Sequence, residues 1–367
     1  MFLKTYHTKL RDALKAQRLK WSKAFFDRVP AASAVGLNPQ SLASILFLRQ
    51  DGKIGDYIVS SFAFREIKLA NPDIKIGVVC SSKNRRLFDD NPYIDAVHEV
   101  KAKSAAAYWK LGKSLAGQYN VTIEPTLFLR DRDLVLLNAL NSPYNVGLDK
   151  ADYRLFNLNI TNKRQHYADI YAEALKLLGF TQIDTAPALP ESTASAEGVR
   201  RFLQENALKD YIALNFFGAS KSRTFDNAAI GKMLAALQEA FPLRQFVLLT
   251  YPEATPALTA LCRPRKNCFV YADTQTINDS IEILRFADTV VSPDTAIIHI
   301  AAALDKRIIG LYHKNPQNFE NWYPRSSKSD CLFFKGTVNE ISPQAVIGLM
   351  KREKSPPTDF GKQHEQT

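Results

Sequence analysis

The sequence predicts an α/β protein built from two Rossmann-like, doubly wound domains. Three observations carry that prediction. From residue 44 onward, short apolar strands alternate with helical patterns. The alternation then breaks at a Pro/Ala/Ser/Thr stretch, TAPALPESTASAEG, and restarts near residue 211. The length of 367 residues suits two domains of ordinary size, and 46% hydrophobic with 23% charged residues is the balance of a soluble globular chain.

Taken in order, residues 1–43 form a basic N-terminal segment. Its first 30 residues hold eight basic side chains (Lys4, Lys9, Arg11, Lys15, Arg18, Lys20, Lys23, Arg28) against Asp12 and Asp27, a net of +6 out of the chain's +11. Leu3, Tyr6, Leu10, Leu14, Trp21 and Phe25 recur at roughly helical spacing. Such a helix suits an anionic membrane surface, or it packs on the body with a solvated basic face. No nucleic-acid motif accompanies the charge, so nucleic acid is not the expected partner.

The first domain is expected over 44–185. SILFL predicts a strand at 44–48, followed by a helix over 56–69. KIGVVC predicts a strand at 75–80, and shorter strands follow at 96–100 and 120–124. A helix over 166–179 ends at Gly179. Residues 186–198 read as the linker. The second domain, 199–350, repeats the scheme: strands at 211–215, 245–250, 268–271, 288–292 and 308–312, with helices at 227–240 and 277–286. Residues 351–367 are polar and read as a loose tail. Two such halves leave a cleft, and ligands bind beyond the carboxyl ends of the strands.

The remaining bulk features narrow the function. Cys80, Cys262, Cys268 and Cys331 have no metal-ligand spacing and are expected to be reduced. There is no apolar run of transmembrane length and no signal-peptide core, which predicts a cytoplasmic protein.

Candidate chemistry lies at three strand-to-helix junctions. In LRQDGKIGDYIVSSFAFREIK, Gly55 permits a tight backbone and Asp56 falls near a helix N-terminus, as a cap or as a base. The loop has neither GxGxxG nor a P-loop pattern. In NFFGASKSRTFDN, Gly218, Ser220, Lys221, Ser222 and Arg223 make a small, doubly cationic loop that can hold a diphosphate or stay solvated. In VSPDTAIIHIAAAL, Asp294 can cap a helix whose free N–H groups, with Thr295, face an anion; His299 lies one turn on, as a packing or a site residue. Glu253, just past a strand, could accept from ribose hydroxyls. The Asp131-Arg132-Asp133 triplet opens a helix and is expected to cap it rather than bind metal.

Together, LRQDGKIGDYIVSSFAFREIK, NPYIDAVHEV and SPDTAIIHIAAALDKRIIGLY resemble glycosyltransferase family 9, the bacterial lipopolysaccharide heptosyltransferases, over roughly residues 44–335. Ala296 stands where that family usually has glycine. The resemblance implies a GT-B fold, with an acceptor domain and a nucleotide-sugar domain facing a cleft. It also implies ADP-heptose as donor, inversion at the anomeric carbon, a lipid-anchored core oligosaccharide as acceptor, and neither an obligatory metal nor a cofactor. In that scheme Asp56 is the base, with Asp51, Lys53 and Gly55 in the acceptor-side loop. Gly218, Ser220, Lys221, Arg223, Glu253, Asp294, Thr295, Ala296 and His299 form the donor site. The protein would work peripherally on the cytoplasmic face of the inner membrane. A GT-B transferase or epimerase using a UDP-sugar, or an inactive GT-B binding protein, are the alternative readings.

Overall fold

The computed structural model describes residues 2–30, 32 and 37–352, with side chains from residue 13 onward. The tail expected at 351–367 lies, beyond residue 352, outside the described residues. The same holds for the side chains of Leu3, Lys4, Tyr6, Lys9, Leu10, Arg11 and Asp12.

The chain divides into two compact units, Met1–Ala188 and Leu189–Thr367. The division falls inside the expected linker, but that stretch is not all linker. Ser192 accepts from the Ser195 N–H and starts a helix at Thr193.

Unit 1 opens with α1 (Phe2–Phe26), then β1 (Ser44–Arg49), α2 (Ile54–Ala70) and β2 (Lys75–Cys80). It continues through α3 (Arg85–Asp89), β3 (Ala96–Glu99), α4 (Ala105–Ser114), β4 (Val121–Glu124) and α5 (Asp131–Leu140). It closes with β5 (Tyr144–Leu148), β6 (Leu158–Ile160) and α6 (Tyr167–Leu177). The six strands form one sheet in the order β3-β2-β1-β4-β5-β6, every pair parallel. Strands buried on both faces must be apolar throughout, which is why SILFLR and IGVVC carry no alternation. Leu46, Leu48, Val79, Leu134, Leu136 and Leu140 build a core on one side, and Leu19 and Phe26 of α1 pack against it.

Unit 2 repeats the plan with α7 (Thr193–Glu205), β7 (Ile212–Leu214), α8 (Asn227–Ala240), β8 (Phe246–Leu248) and α9 (Thr255–Cys262). Then come β9 (Cys268–Val270), α10 (Ile277–Phe286), β10 (Thr289–Pro293), α11 (Ala296–Ala303) and β11 (Arg307–His313). α12 (Pro316–Trp322), β12 (Ser329–Phe334) and α13 (Pro343–Lys351) complete it. Its sheet, β12-β11-β10-β7-β8-β9, is also parallel throughout.

In each sheet the strand order reverses once, between β1 and β4 in unit 1 and between β7 and β10 in unit 2. At such a reversal the connections leave in opposite directions, opening a crevice beyond the strand ends. All three junctions singled out from the sequence follow β1, β7 or β10. The four cysteines are free thiols. Among the described residues no helix is long and apolar enough to cross a membrane.

Candidate active site

In unit 1 the junction after β1 differs in detail from the sequence reading. The tight turn is made by Gly52, whose φ of 74° is the left-handed region that favours glycine. Gly55 already lies inside α2, which starts at Ile54. Lys53 occupies the N-cap position without a side-chain cap bond, so Asp56 is a first-turn residue and not the cap. Its carboxylate is buried and faces cations instead. Asp56 Oδ1 lies 3.5 Å from Arg49 Nη2, and Oδ2 lies 3.6 Å from Lys53 Nζ. Asp51 also approaches Arg49, at 3.6 Å.

Burial pushes the Asp56 pKa up, opposed by the Arg49 guanidinium, while the neighbouring Asp51 adds to the rise and Lys53 to the opposition. A carboxylate held in this way is a stronger base than an exposed one and is still ionisable. The Tyr167 and Tyr171 hydroxyls of α6 have their pKa values raised by burial and remain protonated.

Beside it, the end of β4 places Glu124, fully buried, with its pKa pushed up to about 7 by burial and by Asp133. Glu124 Oε1 accepts from the Thr126 N–H at 3.0 Å. Lys150 Nζ donates to the carbonyls of Thr126, Leu127 and Leu148 at 2.7, 2.9 and 2.6 Å, and pins the turn after β4. Asp133 takes the capping role, accepting from the Arg130 N–H at 2.9 Å and from Gln50 Nε2 at 3.1 Å.

In unit 2 the loops after β7 and β10 meet. The Arg223 guanidinium donates to Asp294 Oδ2 at 2.9 Å and to its carbonyl at 3.2 Å. Asn318 Nδ2 supports the same carboxylate at 3.1 Å. Asp294 therefore does not cap α11; Thr295 does, its hydroxyl accepting from the Ile297 N–H at 3.3 Å. Asn215, at the end of β7, donates to Ser292 Oγ at 2.9 Å and to Thr295 Oγ1 at 3.3 Å, tying the two strand ends together.

Gly218 is held by sterics, since a Cβ there would come within 2.5 Å of the Arg223 Cβ and carbonyl oxygen. Ser220 and Ser222 hydroxyls are 3.0 Å apart in the same loop. Lys221 is exposed, and no hydrogen bond or ion pair of its ammonium group is found among the described residues. Thr295 and Ala296 are half-buried at the start of α11.

His299, one turn further, is buried, with its ring 5.7 Å from that of Trp322. Burial holds its pKa down to about 4, so it is neutral near pH 7 and brings no charge to an anion. Glu253 is exposed in the turn after β8. Next to it a cavity of about 440 Å³ is lined by Pro252, Thr255, Pro256 and Arg263 with Ala272 and Gln275.

The structure thus gathers Gly218, Ser220, Lys221, Arg223, Asp294, Thr295 and Ala296 at one switch point, and Asp51, Lys53 and Asp56 at the other. Glu253 stands apart, beside the cavity. Arg49, Glu124 and Asn215 were not read from the sequence as site residues. Each is a polar side chain closing an apolar strand, and that was the available signal.

A model described as "Glycosyltransferase family 9 (heptosyltransferase)" matches residues 108–334. The chain belongs to glycosyltransferase family 9. It is 22% identical to the putative lipopolysaccharide heptosyltransferase 4 of Escherichia coli K12, over 96% of this chain and 98% of that protein. The E. coli ADP-heptose LPS heptosyltransferase II structure superposes with a TM-score of 0.62 at 18% identity, covering 84% of this chain and 97% of its own. The E. coli heptosyltransferase WaaC with ADP gives 0.59 at 16%, covering 84% and 98%. At these identities the structures speak for the fold, which is GT-B, the one expected. Membership makes the protein a glycosyltransferase of the heptosyltransferase family.

Proposed function

We propose that the protein transfers heptose from ADP-heptose to a sugar of the lipopolysaccharide core, inverting the anomeric carbon. The observation that carries this reading is a buried, cation-flanked Asp56 at the switch point of one unit of a family 9 chain. Direct displacement needs one base on the acceptor hydroxyl and electrostatic support for the departing diphosphate. Asp56 takes the proton. Lys221, the Gly218–Ser220 loop and the N-terminus of α11 at Thr295 and Ala296 receive the diphosphate, with Arg223 and Asp294 bracing the two loops. Glu253 and the cavity beside it suit the nucleoside end. Two relatives favour this donor and acceptor by name: one is a putative lipopolysaccharide heptosyltransferase, and the other is a heptosyltransferase structure with ADP.

The membrane reading of α1 belongs to the same proposal. Leu19 and Phe26 pack on the body, and Leu155 N–H donates to Asp27 at 2.9 Å just past the helix end. Leu14, Trp21 and Phe25 are exposed by 47%, 60% and 60%. At ~100° per residue these three fall within about 40° of one another, away from the packed face. Arg18 is exposed about 40° from Leu14, at the edge of the stripe. An apolar stripe with a basic edge suits the cytoplasmic face of an anionic inner membrane, where a lipid-anchored acceptor resides.

Purified protein given ADP-heptose should release ADP only with a core oligosaccharide acceptor present. Product from a UDP-sugar and none from ADP-heptose, across a panel of truncated cores, would overturn the donor assignment.

A further inference from the structure

We propose that Arg49 is the positioning residue of the base: its buried guanidinium, 3.5 Å from the Asp56 carboxylate, keeps that carboxylate ionised and in place. This rests on the reading of Asp56 as the base. Arg49 closes β1, and its side chain is only 3% exposed. One arm, Nη1, donates to the Tyr171 hydroxyl of α6, and the Tyr171 ring lies 5.8 Å from the guanidinium carbon. The other arm, Nη2, stands between two carboxylates, 3.5 Å from Asp56 and 3.6 Å from Asp51. The Arg49 carbonyl accepts from Asn84 Nδ2 at 2.8 Å, so the backbone is fixed as well.

These contacts are at ion-pair distance, and among the described residues Arg49 Nη2 and Nε have no hydrogen-bond partner. The cation therefore acts on Asp56 through its field and leaves the carboxylate lone pairs for another donor, which a base requires. The groups facing Asp56 are Arg49 from β1, Asp51 and Lys53 from the loop, and Tyr167 and Tyr171 from α6. Lys53 is 64% exposed and screened by water, so the buried guanidinium is the dominant counter-charge. Arginine suits the task because a buried lysine can lose its proton, whereas a guanidinium does not. With burial and Asp51 both favouring the protonated acid, removal of Arg49 leaves nothing buried to oppose them.

The sign follows directly. A base works only when deprotonated, so the rate falls below its pKa. Loss of a neighbouring cation raises that pKa, and the acid limb moves to higher pH. The test is the pH dependence of single-turnover transfer from ADP-heptose to a core acceptor in wild type, Arg49→Met, Arg49→Lys and Tyr171→Phe. Circular dichroism and thermal unfolding of each variant serve as the folding control for unit 1, and ADP binding as the control for unit 2.

Arg49→Met should move the acid limb up by about one unit or more, a roughly tenfold rate loss on that limb that higher pH restores, with ADP affinity kept. Arg49→Lys should lie nearer wild type, and Tyr171→Phe, which frees one arm of the cation, should move the limb less in the same direction. An unmoved limb with a uniform rate loss in Arg49→Met would make Arg49 a structural ion pair and overturn the inference. If Arg49→Met does not fold, Arg49→Gln, which keeps a polar side chain and removes the charge, takes its place, and an unmoved limb there has the same force. Wild-type turnover in Asp56→Asn would instead remove the base assignment, and this inference with it.

Discussion

Alanine at Lys221 and alanine at Arg223 should fail in different ways, although the two residues sit in one loop. Lys221 is exposed and its ammonium is uncommitted among the described residues. A charge-assisted bond to a diphosphate is worth about 1.5–3 kcal/mol, so Lys221→Ala should weaken ADP binding about 10–150-fold with unfolding unchanged. Arg223 is committed to Asp294 at 2.9 Å, with 31% of its side chain exposed against 8% for the aspartate. Breaking a buried pair costs about 3–5 kcal/mol and an exposed one ~0–1. This half-screened pair should cost an intermediate ~1–3 kcal/mol.

Any bond Arg223 makes to ADP is offset by what it gives up at Asp294, so Arg223→Ala should lose less ADP affinity than Lys221→Ala and more stability. Isothermal calorimetry of ADP and thermal unfolding of the wild type and these two variants measure both quantities. The reverse order of affinities, or unchanged affinity in Lys221→Ala, would refute the division of labour.

Two further outcomes are expected. His299 is buried with a pKa near 4 against an ordinary value of 6.5, so the unfolded chain binds the proton first. Stability should fall as pH drops from about 6.5 to about 4, by ~3 kcal/mol relative to His299→Gln, and urea midpoints across that range test it. For α1, replacing Leu14, Trp21 and Phe25 by serine should abolish sedimentation with anionic phospholipid vesicles at low salt and leave ADP binding intact. Unchanged sedimentation would return the helix to a packing role.

The strands were legible where burial leaves only one solution. KIGVVC and the strand after it in space, SILFLR, are apolar runs because both faces of a parallel sheet are covered. β5 and β6 were not, since YNVGL and LNI carry asparagines that bond backbone groups across the chain: Asn145 to the Leu155 carbonyl and Asn159 to the Lys150 N–H. Alternation read along one short strand does not register partners nine or ten residues on.

The same limit governed the site. That SPDT opens a helix was readable, but which residue caps it depended on Arg223, distant in sequence, drawing Asp294 away and leaving Thr295 at the cap. QDGKIGD read as one glycine turn before a helix, yet the turn sits at Gly52, because α2 begins early enough to bury Asp56 beneath Arg49 and α6. The linker reading missed Ser192, whose spacing to the Ser195 N–H was the cue for α7.

The account depends most on Asp56. Asparagine there keeps shape and hydrogen-bonding reach but cannot take a proton. Single-turnover heptose transfer by Asp56→Asn, with ADP affinity measured on the same preparation, is the most direct test. The account predicts a fall of about 10²–10⁴-fold in the transfer rate with ADP binding kept. Transfer at a near-normal rate would contradict it and pass the role of base to Asp51.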